Sequence, residues 1–99
     1  MQTIQAYENR VENKLDLFKT QIKALQAFEA DSEKAHKGKI HFQIGYLWQK
    51  QKALEKKFQS FLATGGSVRQ EMRKGIDALM RDMIRSISKV HLQCIEDVY

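Results

Sequence analysis

The side chains able to do chemistry are few and poorly grouped. His91 and Cys94 lie three residues apart, so on a helix both can face one metal ion, but no second pair at ligand spacing completes a tetrahedral set. His36 and His41 are five apart and project in different directions on a helix. Lys37 follows His36 directly and points away from it, so no reactive histidine is backed by a lysine on the same face. No nucleophile, base and orienting group can be assembled from spacing. Glu33 and His36 have Glu-x-x-His spacing, but a di-iron bundle needs that motif on two helices with further acids opposite, and the chain has no second one. The expectation is a non-catalytic chain with no metal and no cofactor.

The distribution of charge is more informative. Residues 50–74 hold Lys50, Lys52, Lys56, Lys57, Arg69, Arg73 and Lys74 against Glu55 and Glu71, which equals the whole formal charge of +5. This quarter is centred on Thr64-Gly65-Gly66-Ser67, the clearest turn in the sequence. A helix that starts after such a turn presents free N–H groups and the positive end of its dipole. Lys56, Lys57, Gly65, Gly66, Ser67, Arg69 and Arg73 therefore form a candidate anion-binding tip, suited to nucleic acid or a phosphorylated ligand. The phosphate-loop pattern G-x-x-x-x-G-K-[ST] is absent. Arg69, Arg73, Arg81, Arg85 and Lys89 continue the basic row at multiples of four residues, the spacing of a solvated helix face or one paired with acids on a neighbour. Interleaved aromatics of a single-strand binder are missing from both features, and the helices are too long for a DNA-reading helix-turn-helix.

The elements that would carry these groups follow from periodicity. In the first segment Ile4, Val11, Phe18 and Leu25 recur every seven residues, with Leu15 and Ile22 between them and Tyr7 and Phe28 at the flanks. The second repeats the pattern with Ile40, Leu47, Leu54 and Phe61 in one row and Ile44, Gln51 and Phe58 in the other; Trp48 flanks it. Gln51 is an amide in an apolar seam, the kind of residue that sets register. The third runs from Met72 through Ile76, Leu79, Met83, Ile87, Val90 and Cys94 to Val98, close to an eleven-residue period. Met80, Ile84 and Ile95 widen its apolar face into a second stripe, as expected of a helix that is central in its bundle or touches another chain.

Gly65 and Gly66 suit a left-handed helix end, and Ser67 with Gln70 has capping-box spacing. The first turn is poorly marked: the apolar rows stop at Phe28 and resume at Ile40, with Asp31, Ser32 and Gly38 as candidate punctuation. A turn at 30–33 is preferred, with a shift toward Gly38 as the alternative. The expected fold is all-α: an up-down-up antiparallel three-helix bundle in one domain, with helices near 2–30, 33–63 and 67–97. The alternative is a bundle completed only by homodimerisation.

With Ile44 and Leu47 facing the core, Phe42 and Tyr46 fall on the back of the second helix, one turn apart, with Gly45 between them able to admit another backbone. Two aromatics so placed mark a contact surface. Phe42, Gly45, Tyr46, Met80 and Ile84 are thus the expected interface for a protein partner or for self-association. The chain has no proline and 42% apolar residues, which fits long uninterrupted helices and excludes a disordered chain. It lacks a run of ~18 apolar residues that would span a bilayer, and residues 1–10 lack the pattern of a secretory signal. One cysteine makes no internal disulfide, so a cytosolic setting is expected. Together these features predict a non-catalytic helical interaction module, with binding of an anionic partner through the tip as the alternative.

Overall fold

A computed structural model of the chain describes residues 4–31, 37–65 and 68–98. They form three helices: α1 (Ile4–Asp31), α2 (Lys37–Ala63) and α3 (Val68–Val98). At about 1.5 Å per residue, helices of 28, 27 and 31 residues match the 51 Å long axis of the molecule. Contacts join every pair of helices. Tyr7 near the start of α1 packs on Phe61 near the end of α2 and bonds to Asp77 near the start of α3. The order is therefore up-down-up, as the short connections require.

The apolar rows build one shared core. In α2 the whole seam is buried, from Ile40 and Ile44 through Leu47 and Leu54 to Phe58 and Phe61. From α1 come Tyr7, Val11, Phe18, Ile22 and Leu25, and from α3 come Ile76, Met83, Ile87, Val90 and Cys94. Met80, expected on the partner-facing stripe, is 8% exposed and belongs to this core. Four residues turn a helix about 40° past a full revolution. Met80 thus stays at the edge of the buried arc set by Ile76 and Met83, and only Ile84, one turn later, leaves it.

The two connections differ. After α2, the Thr64 amide donates to the Phe61 carbonyl at 3.2 Å and the Thr64 hydroxyl to the Ser60 carbonyl at 2.8 Å. Both occupy carbonyls that a helix end otherwise leaves open. The first connection lies between Asp31, where α1 ends, and Lys37, where α2 begins; residues 32–36, with His36 and most of the expected turn, lie outside the described residues. Gly38 sits inside α2 and ends no helix. What joins α1 and α2 here is a polar clamp, with Glu29 buried and its Oε1 2.8 Å from His41 Nδ1.

Gln51 is 1% exposed, and its Nε2 donates to the Leu15 carbonyl and to Glu55 Oε1, both at 3.0 Å. The bond to Leu15 ties the register of α2 to α1. Its Oε1 is buried without a protein donor. A buried acceptor without a partner costs roughly 1–3 kcal/mol. Gln51→Leu, of similar volume, should therefore raise stability by about 1 kcal/mol in denaturant unfolding. Gln51→Glu, which sets a second carboxylate beside Glu55, should lower it by roughly 2 kcal/mol or more.

Candidate interaction surface

The two ends of the rod carry different surfaces. Away from the Gly65 turn, α2 presents Phe42, 83% exposed, and Tyr46, 59% exposed. Both line a groove of about 890 Å³ between α2 and α3, whose other wall includes Ile84, Arg85, Lys89 and Leu92. Space beside Gly45 is open, since a Cβ there would meet nothing within 4 Å. A bridge secures the two walls: Lys50 Nζ donates to Asp82 Oδ2 at 2.6 Å and to Ser86 Oγ at 2.9 Å, and it sits 5.0 Å from the centre of the Tyr46 ring. A second groove, of about 930 Å³, lies between α1 and α3, lined by Leu25, Phe28, Leu92 and Ile95 among others. Ser88 and Leu92 border both grooves, so the outer side of α3 joins them into one surface.

Of the expected interface, Phe42, Gly45, Tyr46 and Ile84 are exposed at this end, and Met80 is not. Leu92 and Phe28 were missed. Leu92 could have been found, because Ile84, Ser88 and Leu92 stand four residues apart on one face. Phe28 was assigned to the flank of a buried row. The Lys50–Asp82 bridge joins residues 32 apart, which no local spacing reveals.

At the opposite end, the candidate anion site divides. The Arg69 guanidinium lies 3.3 Å from Glu8 Oε1 and 4.9 Å from the centre of the Phe61 ring. Arg73 lies 4.3 Å over the Tyr7 ring and Arg10 5.4 Å from it. Arg10 also approaches Asp77 at 3.8 Å. Both arginines of the tip thus act within the bundle. Lys56 and Lys57 are exposed and make no ion pair among the described residues, and Gly65 is exposed. Gly66 and Ser67 lie outside the described residues. The acids of α1 and α3, Glu8 and Asp77, share this end and reduce its positive field.

The remaining basic row behaves differently. Arg81, Arg85 and Lys89 are exposed, and none has an acidic partner among the described residues. Of the row read as a solvated face or one paired with acids on a neighbour, Arg69 alone among the described residues pairs with an acid on another helix.

Tyr7, 0% exposed, donates its hydroxyl to Asp77 Oδ1 at 3.0 Å. Burial, and then the bond to Asp77, push its phenol up to about 12. The folded chain therefore holds this proton after the unfolded chain has lost it. The contribution is fully present below pH 10 and is lost as pH rises toward 12. The stability advantage of the wild type over Tyr7→Phe should shrink across that window, read by denaturant unfolding of both proteins.

Among the described residues no three His, Cys, Asp or Glu side chains converge as a metal site. His91 is exposed while Cys94 is buried. No helix among the described residues is long and apolar enough to cross a membrane. Comparison with protein-family models, with curated proteins and with solved structures finds no match to the chain.

Proposed function

We propose that this chain is a non-catalytic, cytosolic helical interaction module that meets another protein chain through the α2/α3 face. One observation carries the reading: Phe42 and Tyr46, one turn apart and mostly exposed, share a groove with Ile84 and Leu92. Contiguous exposed apolar surface of this kind marks contact sites, and aromatics concentrate binding energy there. The fold gives the face a rigid base, since a buried seam lies behind each wall. The tip supports the alternative of an anionic partner less well, because its two arginines are engaged by Tyr7, Phe61 and Glu8.

The reading is testable with cysteine labelling, because Cys94 is buried and gives a quiet background. Single cysteines at positions 42, 92 and 17 should react alike with a maleimide in the purified chain, Leu17 being an exposed control. In an extract of the source cells, those at 42 and 92 should be protected and the one at 17 should not. Equal reactivity at all three positions in the extract would overturn the reading.

A further inference from the structure

The charges beside the exposed aromatics identify the kind of chain that fits them. Arg85 and Lys89 line the same groove as Phe42 and Tyr46, and Arg81 precedes them one turn earlier on α3. All three are exposed and lack an acidic partner among the described residues. Like charges four residues apart on a helix repel; Asp77, one turn before Arg81, offsets part of this, while Arg85 and Lys89 have no acid four residues away on α3. Asp82, the acid in the groove, is held by Lys50 at 2.6 Å.

The groove therefore has apolar walls and a net positive rim, from Arg85 and Lys89. We infer that its occupant is an acidic amphipathic helix of another protein, with apolar residues seated between Phe42, Tyr46, Ile84 and Leu92 and carboxylates against Arg85 and Lys89. Two adjacent helices form a trough into which a third lies with anchors at i, i+3, i+4 and i+7. Ser88, a small residue, lines that trough and leaves room for close approach.

A second copy of the chain fits less well. A two-fold contact on this face sets Arg81, Arg85 and Lys89 of one chain near the same row of the other. Acids on α1, such as Glu12 and Asp16, lie on the α1/α2 face, and using them makes a head-to-tail contact in place of a two-fold one. Electrostatic match also governs the choice among partners, since like charges brought together are costly.

This inference rests on the proposed interaction role, and its test separates the two. The purified full chain is used to select from a displayed library of helix-forming segments of about 18 residues, five turns. Segments with an apolar stripe and net negative charge should be enriched about tenfold or more over neutral and basic ones. Tyr46→Glu should abolish retention. Arg85→Glu combined with Lys89→Glu should reverse the charge preference, and circular dichroism should show both variants folded, since all three positions are exposed. A retained pool without charge bias, or a bias unmoved by the reversal, overturns the inference and leaves the interaction role standing. Light scattering that finds a dimer dispersed by Tyr46→Glu also overturns it, by making the occupant a second copy. If nothing is retained and the chain is monomeric, the inference and the interaction role both fail.

Discussion

Replacing Phe42 and Tyr46 together by glutamate should weaken partner binding on the order of 100-fold or more while leaving the fold intact. Each aromatic is an exposed anchor in the same groove, and anchors of this type contribute about 2 kcal/mol or more when truncated, where 1.4 kcal/mol is tenfold. The new carboxylates also face a partner inferred to be acidic, which adds repulsion. Stability should change by no more than about 0.5 kcal/mol, the usual range for surface positions. At position 46 a carboxylate gains an i,i+4 pairing with Lys50, offsetting the lost contact of Lys50 with the ring. Calorimetric titration with the partner and thermal unfolding of the same samples check both halves.

Tyr7→Ala should have the opposite profile. Tyr7 is fully buried, edge-on to Phe61 at 5.4 Å and flanked by the guanidinium groups of Arg73 and Arg10. Its removal leaves a cavity where the ends of all three helices meet. Large-to-small changes of buried aromatics cost about 3–5 kcal/mol, a large share of the 5–15 kcal/mol typical of a domain. The melting temperature should fall on the order of 20 °C. Tyr7→Phe keeps the ring and loses the bond to Asp77, so it should cost only about 1 kcal/mol. A milder effect of Tyr7→Ala than of Tyr7→Phe would contradict the packing described.

Much of the fold was legible in local spacing, because helix burial repeats with the helix period. The α2 seam was read residue by residue, including Gln51, whose buried amide does fasten α2 to α1. Exposure of Phe42, Tyr46 and Ile84 followed from the same rows. What spacing could not show were contacts made between helices. Arg69 and Arg73 read as free charges of a basic tip until Tyr7 and Glu8, more than sixty residues earlier, came to lie against them. Met80 was misplaced because an apolar stripe gives no sign of where the buried arc ends. The first turn was obscure for a related reason: the clamp beside it pairs Glu29 with His41, and neither reads as a helix signal.

The central claim is that the chain meets its partner through the α2/α3 face. Site-specific photo-crosslinking in the source cells tests it most directly, with a photoreactive phenylalanine placed in turn at positions 42, 46, 92, 17 and 56. Positions 42, 46 and 92 should capture one and the same protein, and positions 17 and 56 should capture none of it. Capture of that protein from 17 or 56, with none from the three groove positions, would contradict the account.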